Sequence, residues 1–217
     1  MFKVTQVGSW PRSEGLLGAL TDLQKGRMSR TEFDRIADDE VRRAVELQLE
    51  AGVDIVVDGE QRRDNFVSFV TEKLDGARLM SLTDTADDKD SFSKELAAAD
   101  VPPDSIMNAV CVGKLKRRDP LAVDEYKFVR NLTDRPIKVP LPGPYILIRS
   151  LWSPKFSRQY YEEPTDMADD IVGILRDELI ELRDAGCDFV QFDEPVLTEV
   201  VFSKEAEESE SFSRTFM

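Results

Sequence analysis

One tetrapeptide joint occurs twice in this chain, and it limits the fold more than any other feature. Ala51-Gly52-Val53-Asp54 and Ala185-Gly186-Cys187-Asp188 each close a helical pattern and open a short apolar run. The first helix is announced by Ser29-Arg30-Thr31-Glu32, a capping box in which hydroxyl and carboxylate satisfy orphan N–H groups reciprocally. Phe33, Ile36, Ala37, Val41, Ala44 and Val45 then recur at helical spacing. Gly52 stands where a left-handed C-terminal cap belongs, and Val53–Val57 reads as a buried parallel strand ending in Asp58-Gly59-Glu60. The second pass repeats this grammar. Thr165 is expected to cap a helix carrying Met167, Ile171, Ile174, Leu175 and Leu182, which stops at Gly186. Phe189–Phe192 reads as the strand that follows, ending in Asp193-Glu194-Pro195. The match is short, so it marks a repeated helix-to-strand joint rather than a duplication.

Further strands are expected at Val4–Trp10, Asn108–Leu115 and Ile137–Leu141, the last running into a rigid Pro142-Gly143-Pro144 turn. Residues 84–104 are polar and acidic and read as a surface insertion, with a short helix at Lys94–Ala99. The tail from Ser203 to Met217 is acidic and serine-rich, with no apolar continuation past Phe212 and Phe216. Strands alternating with capped helices indicate an α/β protein with parallel strands. A doubly wound sheet is the alternative, but Gly8-Ser9-Trp10-Pro11 after the first strand is no phosphate loop. About four β/α units are present, whereas a closed barrel usually needs ~250 residues. We therefore expect residues 1–217 to be the N-terminal half of one (β/α)8 TIM-type barrel, with strand edges and an apolar interior left open. Such a chain is a fragment, or another chain completes it.

Composition excludes several functions. The 217 residues carry a formal charge of −14, a field that repels phosphate backbones and anionic lipids, so neither nucleic acid nor membrane is an expected partner. The one basic run, Lys114-Leu115-Lys116-Arg117-Arg118, reads as a solvated strand end. There is no histidine, which removes Ser-His-Asp and Cys-His catalysis and every histidine-ligated metal site. Two distant cysteines, Cys111 and Cys187, do not suggest a disulfide framework. The start resembles no signal peptide and no apolar run approaches ~18 residues, so the expected location is the cytoplasm.

In parallel α/β folds the loops after the strands build the site. Gly8-Ser9, Asp58-Gly59-Glu60 and Asp193-Glu194-Pro195 are polar strand ends, and Glu60 with Asp193 would suit a ligand ammonium group. A lone carboxylate of this kind is otherwise a solvated loop residue or a cap. Val7-Gly8-Ser9-Trp10-Pro11-Arg12, Asp58-Gly59-Glu60 with Arg63-Asp64, Leu141-Pro142-Gly143-Pro144, and Gln191-Phe192-Asp193-Glu194-Pro195 with Leu197 and Glu199 follow in order. Together they resemble the catalytic domain of the cobalamin-independent methionine synthase family, in its short, core form.

The resemblance implies methyl transfer to the thiol of L-homocysteine. It assigns Val7, Gly8 and Ser9 to the amino acid's carboxylate, Glu60 and Asp193 to its amino group, and Glu199 to the folate donor. It also implies a zinc ion that activates the thiol. The family's zinc ligands (a His, two Cys and a Glu) lie after the Asp-Glu-Pro motif, where this chain has neither Cys nor His, so no metal ligand is assigned here. Cys111 and Trp152 lie near the family's donor-contacting positions, but Val110 replaces the expected Arg and Trp152 is out of register. The alternatives for them are core packing and loop packing; Cys187 reads as a small core residue. The donor stays open between methyltetrahydrofolate and a methyl-corrinoid, the latter brought by a corrinoid protein. Alkyl transfer to another thiol such as coenzyme M, and a non-catalytic fragment keeping only the amino-acid pocket, are the rival readings. A decarboxylase of the uroporphyrinogen type is disfavoured, because an acidic pocket repels a polycarboxylate.

Overall fold

The computed structural model describes residues 2–85 and 107–197, and the chain divides into two compact units. The first comprises Met1–Phe69, Pro120–Leu141 and Arg176–Phe192; the second comprises Val70–Asp119, Pro142–Leu175 and Asp193–Met217. Both helices and strands are present, as an α/β protein requires. Among the described residues no helix is long and apolar enough to cross a membrane. The expected helix at Lys94–Ala99, nearly all of the 84–104 insertion and the Ser203–Met217 tail lie outside the described residues.

In the first unit, helices α1 (Glu14–Gln24) and α2 (Arg30–Glu50) pack through Leu16, Ala19, Phe33 and Ala37. The α2 capping box forms as the sequence indicates: the Glu32 amide donates to Ser29 Oγ at 3.2 Å, and the Ser29 amide donates to Glu32 Oε2 at 3.0 Å. Val41, Ala44, Val45 and Gln48 continue the buried face. The α2 C-terminus closes with Gly52 at φ 74° and the Val53 amide donating to the Gln48 carbonyl at 2.9 Å. The repeated joint has the same geometry, with Gly186 at φ 92° and the Cys187 amide on the Leu182 carbonyl at 2.9 Å.

Strand pairing in this unit is sparse. Thr5 bridges Ile55 and Val56 bridges Ile137, both in parallel, and β3 (Lys138–Pro142) neighbours β4 (Phe189–Asp193). The expected strand at Val4–Trp10 shrinks to the single bridge at Thr5. Gln48, 1% exposed, supplies bonds that a fuller ladder would have made. Its amide donates to the Val57 carbonyl at 2.8 Å and its carbonyl accepts the Val57 amide at 2.9 Å. Helix α4 (Val123–Arg130) begins at Ala122, which has no capping side chain. The fully buried Glu178 replaces it, accepting the Leu121 and Ala122 amides at 2.7 Å each.

The second unit holds an antiparallel pair, β1 (Leu74–Ser81), followed by the short helix α3 (Leu82–Thr85), and β2 (Met107–Arg117), running from Leu74 opposite Arg117 to Ser81 opposite Met107. This corrects the expectation of parallel strands throughout: the run from Asn108 to Leu115 is a strand, but it pairs antiparallel. A bulge between Asp75 and Ala77 centres on Gly76 at φ 79°, where an added Cβ would lie 2.3 Å from the Lys114 carbonyl. Along the basic run Leu115 is buried while Lys114, Lys116 and Arg118 face solvent, as expected of a solvated strand end.

Pro142-Gly143-Pro144 is not only a turn. Pro144 is the first residue of helix α5 (Pro144–Leu151), a position where its missing N–H costs nothing. A short helix α6 (Pro154–Ser157) follows, then helix α7 (Ala168–Asp184). Thr165 does not cap α7, because a 3-10 turn at Pro164–Met167 precedes it. The turn is closed by Asp166, whose carboxylate accepts the Glu163 amide at 2.8 Å. Tyr161 braces this unit, accepting the Leu115 amide at 2.8 Å and donating to Asp170 Oδ2 at 2.6 Å. Burial and that bond to Asp170 push the Tyr161 phenol well above its ordinary pKa.

Candidate functional site

The acidic strand end of the first unit is assembled from two loops. The Trp10 amide donates to the Gly59 carbonyl at 3.1 Å, and Gln61 Nε2 bridges the Gly59 and Trp10 carbonyls at 2.9 and 3.2 Å. Gly59, at φ 70°, has Trp10 side-chain atoms 3.2 Å from where a Cβ would sit, so conformation and space both select glycine. Glu60 follows at φ 56°, a left-handed backbone that costs a side-chain-bearing residue about 1–2 kcal/mol. Its neighbours fix that backbone. Asp58 Oδ1 accepts the Glu60 amide at 2.9 Å, and Arg12 Nη2 donates to the Glu60 and Arg63 carbonyls at 3.1 and 2.7 Å.

The strained turn delivers a carboxylate that is 1% exposed. Ser9 Oγ donates to Glu60 Oε2 at 2.6 Å, while Glu60 Oε1 is buried and has no hydrogen-bond partner among the described residues. A buried carboxylate oxygen with an unused lone pair is an acceptor waiting for a donor, most effectively a cationic one. Beside it, Gly8 at φ 75° has open space where a side chain would stand. Val7 is 77% exposed, so only its backbone is available to this turn.

Asp58 also lines a small pocket together with Arg63, Glu125, Tyr126, Lys138 and Pro140, among others. Arg63 is almost fully buried and donates to Glu125 Oε2 through Nε and Nη2 at 3.0 and 2.7 Å, and to the Pro140 carbonyl at 2.9 Å. Its guanidinium lies 4.1 Å from the Phe69 ring centroid. Burial lowers the Arg63 pKa, but Glu125 and Asp58 outweigh it, and the group is held above its ordinary value. Burial, reinforced by the charge of Glu125 and opposed by Arg63, pushes the Asp58 carboxyl up to about 6. Asp58 Oδ2 is buried without a hydrogen-bond partner among the described residues.

The second acidic strand end belongs to the second unit. Asp193 closes β4, and its carbonyl accepts the Gly143 amide at 2.9 Å. Glu194 accepts the Tyr145 amide through Oε1 at 2.7 Å and the Ile146 amide through Oε2 at 2.9 Å, at the start of α5. The structure thus brings Ser9 and Glu60 together beside Gly8, and places Asp193 next to a carboxylate clamped on a helix N-terminus. The roles of Gln48 and Glu194 carry no local sequence signal, since their partners lie nine and 48–49 residues away, whereas Asp58 acts only two residues along.

Cys111 is fully buried in β2; its thiol donates to the Gly113 carbonyl at 3.1 Å, and its own carbonyl accepts from Ser157 Oγ at 3.1 Å. This is core packing, the first of the readings open to it. Trp152 is the C-cap of α5 and half-buried, with its amide on the Ile148 carbonyl at 3.0 Å. Cys187, expected in the core, is only half-buried, because Phe189 and Phe192 of the strand it leads into are 38% and 40% exposed. Glu199 lies outside the described residues.

The residues present do not fit a zinc ion. Both cysteines are free and fall in different units, and burial pushes each thiol upward, whereas a zinc-binding thiol is normally a thiolate. Among the described residues no three Cys, Asp or Glu side chains group as ligands, and the sequence has no histidine.

Comparison with known proteins gives the family. The sequence model of the family described as cobalamin-independent synthase, catalytic domain, matches residues 2–216, and the chain belongs to that family. A 5-methyltetrahydropteroyltriglutamate–homocysteine methyltransferase from Chelativorans sp. (strain BNC1) is 31% identical over 206 residues, covering 95% of this chain and 24% of the relative. The enzyme of that name from Thermotoga maritima is 28% identical, covering 98% of this chain and 26% of the relative. A B12-independent methionine synthase from Shewanella sp. W3-18-1, solved in complex with selenomethionine, superposes with a TM-score of 0.65 at 26% identity, over 91% of this chain and 54% of that one. A putative vitamin-B12-independent methionine synthase from Listeria monocytogenes shares the fold, with a TM-score of 0.66 at 21% identity over 97% and 57% of the two chains. The chain therefore spans about a quarter of the length of these curated relatives and just over half of the solved chains.

Proposed function

We propose that this chain forms the amino-acid pocket of a homocysteine methyltransferase, in which a methyl group passes from a methyltetrahydropteroyl-glutamate donor to the sulfur of L-homocysteine. The observation that carries the reading is Glu60 Oε1: a buried, unpartnered carboxylate oxygen beside an open Gly8-Ser9 turn. An ammonium group supplies the missing charge-assisted bond. The Val7-Gly8-Ser9 backbone takes the amino acid's carboxylate, and Asp193 is the second acceptor for the ammonium. Held at both polar groups, the amino acid presents its thiol in one direction, which is the contribution of orientation to such a transfer. No step is assigned to zinc, because the residues here do not fit it.

The donor follows from the relatives' names, which specify 5-methyltetrahydropteroyltriglutamate; nothing in the described structure supports a methyl-corrinoid or a corrinoid protein in its place. Glu199, Cys111 and Trp152 are the donor-side candidates, of which Cys111 is the least suited because its thiol is buried and engaged. We extend the proposal to the fold: the row Thr5, Ile55–Val56, Ile137 and β3–β4 supplies the first four strands of a (β/α)8 barrel, and residues 1–217 form its N-terminal half. Exposed Phe2, Val4 and Val7 near one end of that row and Phe189 and Phe192 at the other support a continuation. Two unpaired cysteines support a cytoplasmic setting.

Titration calorimetry of L-homocysteine into this chain tests the reading. Glu60→Gln keeps shape but removes the charge, and should weaken binding at least about tenfold. An unchanged affinity rejects the pocket. Coenzyme M, which has no ammonium group, should not compete; if it binds as well as homocysteine, the rival thiol acceptor is correct.

A further inference from the structure

We propose that Glu194 is a positioning residue, which aims the Asp193 carboxylate by locking the chain after β4 onto the first turn of α5. The inference rests on the pocket reading above and assigns a role within it to a residue and a glycine that the reading leaves unused.

Helix α5 has no side-chain cap of its own: its N-cap is Gly143 and its first residue is Pro144, which has no N–H. The donors left over are the Tyr145 and Ile146 amides, and Glu194 takes both, one with each carboxylate oxygen. A helix N-terminus favours a negative charge at this place, so the clamp is electrostatic as well as geometric. Gly143 adds an independent observation. Its φ of −76° is open to any residue, so the backbone does not demand glycine. Space does: an added Cβ would sit 2.1 Å from Glu194 Oε1 and 2.4 Å from its carboxyl carbon. Glycine is needed there because the carboxylate of Glu194 occupies that volume.

The Gly143 amide, in turn, donates to the Asp193 carbonyl. Three hydrogen bonds therefore tie residues 193 and 194 to residues 143–146, from the Asp193 carbonyl to the tip of the next side chain. With the peptide after Asp193 fixed on both sides, the Asp193 side chain leaves the strand in a set direction. Pro142-Gly143-Pro144 and Asp193-Glu194-Pro195 become two halves of one lock.

The test compares L-homocysteine with 4-sulfanylbutanoic acid, the same molecule without its ammonium group, by calorimetry on the full chain. Wild type should prefer homocysteine, and Glu194→Ala should cut that preference about tenfold while leaving the affinity for the desamino acid within about twofold. A general structural defect would weaken both ligands alike. Gly143→Ala, which evicts the carboxylate without touching it, should give the same selective loss. Glu194→Gln, of equal size, should give a smaller loss in the same direction and serves if the alanine variants do not fold. Combined with Asp193→Asn, Glu194→Ala should add nothing further. A wild-type preference that survives both Glu194→Ala and Gly143→Ala overturns the inference alone. A wild type with no preference overturns the pocket reading and this inference with it.

Discussion

The two acidic strand ends, Asp58-Gly59-Glu60 and Asp193-Glu194-Pro195, look alike in sequence and are wired in opposite order. In the first, the leading carboxylate is the support: Asp58 is buried and accepts the Glu60 amide, and the third residue carries the unpartnered oxygen. In the second, the leading carboxylate is the proposed ligand group, and the next residue is the support, spent on two helix amides. Each turn consumes one carboxylate on the backbone to aim the other. The supports differ in environment. Asp58 sits in a buried cluster with Arg63 and Glu125, while Glu194 relies on a helix N-terminus.

The largest expected effect comes from breaking the buried cluster. Arg63→Met leaves Glu125 and Asp58 facing each other without their shared cation, and it also removes the bond to the Pro140 carbonyl. Removing one partner of a buried pair typically costs about 3–5 kcal/mol. Urea unfolding should show a loss of that size. Glu194→Ala removes a helix cap, usually worth about 0.5–2 kcal/mol, and should show less. If the two losses are equal, the supports are not of different kinds.

How far the sequence reveals these supports depends on the distance over which they act. The Ser29–Glu32 capping box and the Gly52 and Gly186 helix ends are legible because every partner lies within five residues. The Glu178 cap on α4 acts across 57 and 56 residues, and the Glu194 cap on α5 across 49 and 48, so neither helix announces its own start. Helix α1 was also hidden: Ser13 caps it through the Leu16 amide, but Gly15 and Gly18 dilute its helical pattern. Strand β1 is broken up by Asp75, Gly76 and Arg78, and only its pairing with β2 makes it a strand. For the site, Ser9, Glu60 and Asp193 stand out because they end strands; Glu194 adjoins one of them but acts 48–49 residues away, while Asp58 acts only two residues along and is masked by its more prominent neighbour Glu60.

An intermediate effect is expected from pH. The folded Asp58 carboxyl titrates near 6 against an ordinary 3.8. Between these values the folded chain holds more proton than the unfolded one, so this group's contribution to stability falls as pH rises from about 4 to about 6. Above that its full cost persists, about 3 kcal/mol for a shift of this size. Asp58→Asn keeps an oxygen for the Glu60 amide and cannot ionise. Its stability should therefore be flat over that window, matching wild type below pH ~4 and exceeding it by up to about 3 kcal/mol at pH 7. Parallel pH profiles for the two proteins would remove Asp58 from the supporting role.

The smallest effect separates aiming from holding within the first turn. Ser9 Oγ donates to Glu60 Oε2, yet Ser9 as a residue faces solvent, so water replaces its hydroxyl when it is removed. Ser9→Ala should leave unfolding within about 0.5 kcal/mol of wild type. The carboxylate loses an orienting bond but keeps its charge and its backbone, so homocysteine affinity should fall only about fivefold, less than for Glu60→Gln. Calorimetry on the two variants decides the matter. A loss from Ser9→Ala equal to that from Glu60→Gln would mean that the hydroxyl, like the Glu194 clamp, determines whether its carboxylate reaches the ligand at all. The two strand ends would then depend on their supports to the same degree, despite their opposite order.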